Sequence, residues 1–366
     1  MDKQIAYFIS PHGFGHAARA SAVMTALREM DPGFHFEIFT TVPRWFFEES
    51  VENGFTYHAL LTDIGLVQKT SLCANLPETV VQLDRFLPFE NRVVETSADQ
   101  IIRSNASLII CDIAPLGIAV AQKAGVPSML VENFTWDWVY DEYVETYKGL
   151  KPYMEYMGAL FRQADYHVQT EPVCLTKTVD LTVPPVSRRP RTRRSEIRQK
   201  LGIPENAKLL IITMGGIPED HGFMESLSLP ENLYLLIPGA GPSLKIRDHQ
   251  IRLPHRSEFF HPDLIAAADA VIGKVGYSTL AEIYHAGVPF GFIKRSNFRE
   301  SDILAVFIEE QMSGFSIPEA GFHSGQWLTE VSGLLNIRRI ERKGENGAIQ
   351  IARFVQNLLE KKTGSL

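Results

Sequence analysis

A histidine and an aspartate in this sequence have the chemistry to move a proton. His16 follows a turn that contains Gly13 and Gly15, and Asp112 follows a short apolar run at residues 108–111. An imidazole takes up a proton near neutral pH, and a carboxylate beside it orients the ring and stabilises its charged form. The pair therefore predicts a catalytic base and the residue that orients it. A histidine that packs at a helix start and an aspartate that caps a turn remain the alternatives.

A second glycine-rich segment, residues 273–282, has the residue types that bind a diphosphate. Glycines let the backbone approach a ligand, and the N–H groups and dipole at a helix start attract negative charge. The pattern predicts a helix over residues 277–285, with Glu282 about one and a half turns inside it, where its carboxylate could accept both hydroxyls of a ribose. The predicted donor-binding residues of this segment are Gly273, Lys274, Gly276, Tyr277, Ser278, Thr279 and Glu282.

A smaller glycine turn follows the apolar run at residues 209–213. Gly215 and Gly216 lie in this turn and are predicted to flank the same diphosphate. The G-x-x-x-x-G-K-[ST] spacing of a Walker P-loop does not occur in the glycine-rich segments, so the expected phosphate site is of another kind.

Aromatic and polar residues crowd the segment 132–138, just after a predicted strand. An indole face with carboxylate and amide groups around it suits a sugar ring, which has apolar C–H faces and a polar rim. Aromatic residues that anchor the loop in the core are the alternative. The predicted acceptor-binding or sugar-binding residues are Gly13, Gly15, Asn133, Trp136 and Asp137.

The turn before His16 also satisfies the pattern G-x-G-x-x-A, which occurs in dinucleotide-binding proteins. Such a site requires an aspartate or glutamate at the end of the second strand, about 20 residues further on. Residues 39–42 read Phe-Thr-Thr-Val at that place, and only Arg44 beyond them could favour a phosphorylated ribose. An NAD(P) site is therefore the less favoured alternative.

Short apolar runs alternate with amphipathic stretches along the chain, which is typical of βαβ units and parallel sheets. The 366 residues exceed the roughly 250 to 300 at which a single core stops growing. We therefore predict an α/β protein of two doubly wound Rossmann-like domains, whose strand ends face each other across a central cleft. The predicted strands are residues 5–9, 34–40, 108–111 and 128–131, then 209–213, 233–237, 270–272 and 289–293.

Proline and arginine crowd the segment 184–194, where no apolar period survives. We interpret this segment as the interdomain linker, whose arginines are solvated or contact an anionic lipid or acceptor. The predicted domains are residues 1–185 on the acceptor side and residues 186–345 on the donor side. Residues 346–366 are predicted to form a terminal helix that packs back across the domains.

The composition excludes several classes of protein. A net charge of −7 gives no global attraction to nucleic acid. The three cysteines have no C-x-x-C spacing, so they predict neither a disulfide framework nor a zinc site and favour a reducing compartment. No apolar run approaches 18 residues, so we expect a soluble, cytoplasmic protein, with a peripheral membrane contact left open. The oligomeric state is not indicated.

The sequence resembles GT-B glycosyltransferases at several of these points. Residues 273–282, followed by Gly287-Val288-Pro289, are similar to the donor-binding helix of MurG and of the UDP-glycosyltransferases. Gly15-His16 is similar to their acceptor-side loop. Over nearly its full length the chain more closely resembles the glycosyltransferase-like region that precedes the kinase domain in plant L-arabinokinases. The stretches shared with that region include residues 13–17, 133–137, 273–277 and 325–327.

The resemblance implies roles for the residues that match. His16 matches the catalytic histidine of plant UDP-glycosyltransferases and Asp112 the aspartate that orients it, while Glu282 matches the ribose-binding glutamate of MurG. Gly215 and Gly216 would flank the diphosphate. The sequence lacks the long C-terminal box of the plant enzymes, and no galactokinase-like domain follows, so sugar kinase activity is not expected.

We predict a glycosyltransferase that moves a sugar from a nucleotide sugar, with a UDP-sugar favoured, to an unknown acceptor. A histidine base favours a single displacement and hence inversion. No D-x-D metal pair is evident, and a helix dipole can stabilise the leaving group, so neither a metal ion nor a resident cofactor is expected. The alternatives are a catalytically silent nucleotide-sugar-binding or regulatory protein, and a nucleotide-sugar epimerase or hydrolase on the same fold.

Overall fold

The structure is a computed structural model that describes residues 3–363 except 52, 71, 216–223, 225–226 and 228. The chain divides into two compact units. The first unit comprises Met1–Gln68, Ala74–Ser187 and Glu345–Leu366, and the second comprises Lys69–Cys73 and Arg188–Gly344. Within the described residues, each unit contains one seven-stranded sheet.

Parallel strands and the helices that cover them build the first unit. Its strands are β1 (Lys3–Ile9), β2 (Phe34–Thr40), β3 (Phe55–Ala59), β4 (Leu108–Asp112), β5 (Ser128–Glu132), β6 (Tyr166–Thr170) and β7 (Leu181–Val183). They lie in the order β3-β2-β1-β4-β5-β6-β7, and all neighbours are parallel. Its helices are α1 (Gly15–Met30), α2 (Arg44–Val51), α3 (Leu76–Phe86), α4 (Asn91–Ser104), α5 (Pro115–Ala124), α6 (Trp136–Val144), α7 (Lys151–Phe161) and α14 (Gly347–Thr363). Helices cover both faces of such a sheet, which explains why every residue of β4 is buried.

The second unit repeats this architecture. Its strands are β8 (Lys208–Thr213), β9 (Leu233–Gly241), β10 (Lys245–Arg247), β11 (Gln250–Pro254), β12 (Ala270–Lys274), β13 (Phe290–Ile293) and β14 (Gly314–Ser316). They lie in the order β10-β11-β9-β8-β12-β13-β14, and only the β10–β11 pair is antiparallel in this described sheet. Its helices are α8 (Arg194–Lys200), α9 (His261–Ala267), α10 (Tyr277–Ala286), α11 (Glu300–Gln311), α12 (Glu319–His323) and α13 (Val331–Asn336).

The eight strands predicted from apolar runs all occur, as β1, β2, β4 and β5 in the first unit and β8, β9, β12 and β13 in the second. The α/β prediction is therefore confirmed. The strands that the sequence analysis missed are β3, β6, β7, β10, β11 and β14. Most of them are short or lie at a sheet edge, where one face is exposed and no continuous apolar run is needed.

The segment 184–194 contains the boundary between the two units, after Ser187, and only part of it is exposed: Arg189, Arg191 and Arg193 are exposed, whereas several other residues of the segment are not. Val186 and Arg188 are buried. Arg188 forms an ion pair with Glu282, and Arg194 begins α8 and forms an ion pair with Asp269. Arginines crowded in sequence therefore need not be solvated, because carboxylates distant in the chain can neutralise them in the fold.

The terminal helix α14 belongs to the first unit. Ala348, Ile351, Ala352 and Val355 are buried in the core cluster that also contains the apolar face of α1. The predicted amphipathic period over residues 347–362 therefore corresponds to a packed helix. In the described part of the chain, no helix has the length and apolar character needed to cross a membrane.

Candidate functional site

The first candidate site lies at the carboxyl edge of the first sheet, where β1 and β4 end side by side and the strand order reverses. Doubly wound sheets bind their ligands at this position. After β1 the backbone turns through Gly13, whose φ of +74° suits glycine, and α1 begins at Gly15. This turn places His16 in the first turn of α1.

His16 and Asp112 are in direct contact. Nδ1 of His16 lies 2.8 Å from Oδ1 of Asp112, and their side chains are 10% and 1% exposed. When Nδ1 carries the proton and donates it to the carboxylate, Nε2 is the nitrogen that can accept a proton. The structure thus brings together the two residues that the sequence analysis paired, across 96 positions of sequence.

Arg19 is a residue of this site that the sequence analysis missed. Its Nε donates to Oδ2 of Asp112 at 2.9 Å, and its Nη2 donates to Oδ1 at 2.6 Å. Its Nη1 donates to Oδ1 of Asn133 at 2.9 Å and to Oγ1 of Thr170 at 3.3 Å. A signal was present, because Arg19 lies one turn after His16 in an otherwise small and apolar helical stretch. A lone charge in such a stretch is buried only when it is paired.

The ion pair with Arg19 sets the charge state of Asp112. Burial raises the pKa of this carboxyl, but the charge of Arg19 and hydrogen bonds from Arg19 and His16 outweigh it and hold the pKa below its ordinary value. Asp112 is therefore ionised at neutral pH. Its negative charge faces a guanidinium on one side and an imidazole on the other.

A second buried carboxylate, Asp63, comes from the loop after β3. Ser10, which follows β1, donates its hydroxyl to Oδ2 of Asp63 at 2.7 Å, and the indole N–H of Trp136 donates to the same oxygen. The N–H of Ile64 donates to Oδ1 at 2.8 Å. Burial raises the pKa of Asp63 to about 6, against the opposing effect of these hydrogen bonds and of His16. The sequence analysis missed Asp63, because it lies in a loop without a recognisable motif.

The predicted acceptor-side residues after β5 are packed inside the first unit. The indole of Trp136 is 0% exposed and stacks on Tyr140 with ring centroids 6.0 Å apart. Asn133 is fully buried and accepts a hydrogen bond from Arg19. Oδ1 of Asp137 is buried without a hydrogen-bond partner among the described residues. The indole face that we expected to meet a sugar is therefore covered by core rings.

The second candidate site lies at the carboxyl edge of the second sheet, where β8 and β12 end side by side. A Cβ on Gly273 would stand 2.2 Å from the backbone oxygen of Thr213, so glycine is required there. Lys274 ends β12, and its Nζ lies 3.5 Å from where a Cβ on Gly215 would stand. The structure thus brings Gly215 and Lys274 together. Gly216 lies outside the described residues.

Helix α10 begins directly after this edge. Its N-cap, Gly276, has no side chain, and a Cβ there would meet no atom within 4 Å. Tyr277, Ser278 and Thr279 form the first turn, which contains no acidic residue. Backbone N–H groups and the helix dipole therefore offer an environment that attracts a phosphate group. Within the described residues, no group of three or more His, Cys, Asp or Glu side chains is arranged to hold a metal ion.

Glu282 is engaged by two partners that the sequence analysis missed. Arg188 donates Nε and Nη2 to Oε1 at 3.0 and 2.9 Å, and Nδ1 of His261 lies 2.7 Å from Oε2. Burial raises the pKa of Glu282, but the charges of Arg188 and His261 and their hydrogen bonds outweigh it and lower the pKa. Both carboxylate oxygens are therefore occupied. Oε1 accepts two hydrogen bonds, and only Oε2 keeps an acceptor site for a ribose hydroxyl unless Arg188 or His261 is displaced.

Comparison of the sequence with known proteins gives one distant relative. No family model matches the chain. The curated L-arabinokinase of Arabidopsis thaliana is 27% identical over 365 residues, which cover 96% of this chain and 34% of that protein. The chain therefore spans about a third of the length of the curated relative it matches.

Comparison with solved structures decides the fold. The calicheamicin glycosyltransferase CalG4 matches 98% of this chain and 99% of its own, with a TM-score of 0.61 and 13% identity. MurG of Acinetobacter baumannii matches 97% and 99%, with a TM-score of 0.53 and 15% identity. A UDP-glucosyltransferase of Polygonum tinctorium matches 99% and 94%, with a TM-score of 0.60 and 12% identity. The chain has the GT-B fold.

The GT-B fold and the resemblance to MurG, the UDP-glycosyltransferases and L-arabinokinase are thus confirmed. The two GT-B sheets each contribute one candidate site at a carboxyl edge. The first collects His16 and Asp112, together with Arg19 and Asp63. The second collects the glycine turns around Lys274 and the start of α10. At these sequence identities the likeness establishes the fold, and the chemistry must be argued from the residues themselves.

Proposed function

We propose that this protein is a glycosyltransferase that moves a sugar from a nucleotide sugar, with a UDP-sugar favoured, to an acceptor hydroxyl. The observation that carries the proposal is the hydrogen bond between His16 and Asp112 at the carboxyl edge of the first sheet. It supports general-base chemistry at the position where doubly wound sheets bind ligands. The GT-B fold shared with solved glycosyltransferases supports the same class of reaction.

The proposed reaction is one displacement at the anomeric carbon. The O–H bond of the acceptor breaks as its proton moves to Nε2 of His16, and the acceptor oxygen forms a bond to the anomeric carbon. The bond from that carbon to the diphosphate breaks, and its electron pair stays on the nucleoside diphosphate. This displacement inverts the anomeric configuration. We propose that Lys274 and the start of α10 stabilise the leaving diphosphate, so that neither a metal ion nor a resident cofactor is needed.

A catalytically silent nucleotide-sugar-binding protein is the second candidate. Two observations favour it: Arg19 already neutralises Asp112, and Glu282 is occupied by Arg188 and His261. The first limits how strongly Asp112 stabilises a protonated histidine. The second limits how a ribose can be held.

Thermal unfolding with UDP, GDP, ADP, TDP and NAD(P) tests the donor site. A ligand at 100 times its dissociation constant stabilises the protein by about 2.7 kcal/mol, which raises the melting temperature by several degrees. We expect UDP to do so in the wild type and in H16Q, and K274A to lose most of the effect. K208A is the matched control, because Lys208 lies at the opposite end of β8. A shift with NAD(P) alone would contradict the proposal.

Transfer is then measured with UDP-sugars and an acceptor panel, with and without a chelator. We expect the wild type to release UDP only together with a glycosylated acceptor, and H16Q to bind UDP without transfer. UDP binding with no transfer to any acceptor would favour the silent candidate. Release of UDP without an acceptor would indicate a hydrolase, and loss of transfer on chelation would contradict metal independence.

A further inference from the structure

Asp63 is a buried carboxylate that the proposed reaction leaves without a role. It is 0% exposed. Ser10 connects it directly to Asp112, because the Ser10 hydroxyl donates to Oδ2 of Asp63 at 2.7 Å and the Ser10 N–H donates to the backbone oxygen of Asp112 at 3.2 Å. Asp63 therefore belongs to the same network as the His16–Asp112 pair.

A second set of contacts, through aromatic rings, connects Asp63 to His16. The indole N–H of Trp136 donates to Oδ2 of Asp63. The Trp136 ring meets the ring of Phe134 edge to face at 5.2 Å, and Phe134 meets His16 at 6.2 Å. The rings of Trp136 and Phe134 thus connect the carboxylate of Asp63 to the imidazole of His16.

The charge of Asp112 is already balanced before His16 takes a proton. Arg19 donates to both oxygens of Asp112, and both side chains are 1% exposed. Nη2 of Arg19 also lies 3.4 Å from Nδ1 of His16. A proton on His16 would therefore add a positive charge to a buried pair whose own charges cancel. Such a charge is costly unless another group of opposite sign compensates it.

We propose that Asp63 supplies the negative charge that balances His16 when His16 takes a proton from the acceptor. Asp63 is then a positioning residue, because it acts through His16 and Trp136 and does not contact the acceptor. The proton leaves the acceptor oxygen and ends on Nε2 of His16, while Asp63 stays ionised throughout. This inference rests on the proposed function, since that function makes His16 the base.

The electrostatics of the surrounding groups support this inference. Burial raises the pKa of Asp63 to about 6, and among the opposing effects is the charge of His16. Tyr140 is a further titratable group that faces Asp63; burial and the charge of Asp63 both raise its pKa, so that it stays neutral. His12 packs on the edge of Trp136 at 5.0 Å. Asp63 is thus charged above about pH 6 and neutral below it.

A titration of Asp63 tests the coupling without any acceptor. The carboxyl carbon of Asp63 is followed by NMR in the wild type and in H16Q, and D63N identifies its signal. We expect a midpoint near 6 in the wild type. The midpoint should rise by about half a pH unit or more in H16Q, since the neighbouring positive charge is lost. The same midpoint in both proteins would overturn the proposal, whether or not the protein transfers sugars.

The pH dependence of transfer tests the role in the reaction. D63N should lower kcat at least about tenfold and leave KM nearly unchanged, and the part of the acid limb that follows the titration of Asp63 near pH 6 should be lost. If D63N does not fold, S10A removes one hydrogen bond but keeps the carboxylate, and it should move the acid limb to higher pH. D99N, an exposed aspartate of α4, is the matched control. A folded D63N with the wild-type kcat and acid limb would refute the role of Asp63, whereas a wild type that neither binds UDP nor transfers would refute the proposed function.

Discussion

Three charged side chains around His16 define the chemistry of the first site. Asp112 and Arg19 form a buried ion pair. Asp63 is fully buried and accepts a hydrogen bond from Ser10. Buried charges are retained only when they are paired or hydrogen-bonded. Removal of one partner leaves the other charge buried and unpaired, which destabilises the folded protein. The electrostatic roles of these residues can therefore be separated by measuring stability as well as activity.

Replacing Arg19 by methionine should destabilise the protein. Asp112 would be left buried without its ion pair, which costs about 3–5 kcal/mol. Urea unfolding measures this change, and R44A is the control, because Arg44 forms only an exposed surface pair and its loss should cost less than about 0.5 kcal/mol. The double variant R19M/D112N should recover part of the loss, since the uncompensated charge is gone. An unfolding free energy of R19M equal to that of the wild type would contradict the assignment.

Asp63 should make the protein less stable as the pH rises. Its pKa is about 6 in the folded state and 3.8 ordinarily, so between these values the folded state holds the proton more tightly than the unfolded state. This contribution is fully present below about pH 4 and is lost as the pH rises through about 6, and it amounts to about 3 kcal/mol. D63N lacks it. Between pH 4 and pH 7 the free energy of unfolding of the wild type should therefore fall by about 3 kcal/mol relative to that of D63N, as measured by urea unfolding. A difference between the two proteins that does not change with pH would contradict the raised pKa.

Both sites use the same element, a strand that ends in a glycine turn and leads into a helix. In the first unit this is the turn between β1 and α1, and in the second it is the turn between β12 and α10. The strand end fixes the backbone, the glycine permits the turn, and the helix start presents its N–H groups. The glycines of such a turn need not have the same role.

Alanine substitutions at Gly273 and Gly276 distinguish a glycine required for packing from a glycine required for binding. In G273A the added Cβ would meet the backbone of Thr213 at 2.2 Å, so β8 and β12 must move apart, at a cost of about 1–3 kcal/mol. In G276A the Cβ would meet no atom within 4 Å, so stability should change by less than about 0.5 kcal/mol. The same Cβ would stand at the proposed phosphate site, and the UDP-induced rise in melting temperature should fall. Equal stability of the two variants, or an unchanged UDP effect in G276A, would contradict these roles.

At the scale of elements, the sequence correctly predicted the strands that are buried on both faces. The runs that became β1, β4, β8 and β12 are continuous and apolar, because helices cover both sides of a parallel sheet. The missed strands β7, β10 and β14 have three residues each, too few for a period to show. Their pairing depends on a neighbouring strand, which the local sequence does not encode.

At the scale of the whole molecule, the chain returns to its beginning. Glu345–Leu366 group with the unit that contains the N-terminus, although the second unit separates them in sequence.

The return of α14 should contribute strongly to the stability of the first unit. Ile351 is 0% exposed in the core shared with α1, so I351A removes buried apolar contacts and should cost about 2–5 kcal/mol. Arg353 lies on the same helix and pairs with Glu345 at an exposed position, so R353A should change stability by less than about 1 kcal/mol. Denaturant unfolding of both variants measures the difference. A small effect of I351A would indicate that α14 is not part of this core.

Local sequence patterns were sufficient to predict the features that depend on neighbouring residues. Apolar runs, glycine turns and helix starts are local patterns, and they were enough to predict two α/β series and to place His16 and Asp112 at the same edge of a sheet. Carboxyl ends of adjacent parallel strands share one edge of a sheet, so this much of the first site followed from the secondary structure alone.

The contacts of the buried charged side chains depend on the tertiary fold. Arg19 and Asp112 are 93 positions apart, Arg188 and Glu282 are 94 apart, and Trp136 and Asp63 are 73 apart. No local pattern connects such residues, because their contact depends on strand order, register and helix packing. Arg19 as a partner of Asp112, the partners of Glu282 and the whole of the Asp63 network were therefore missed. The fold brings them together because an ionised side chain removed from water must be matched by a partner, wherever in the chain that partner lies.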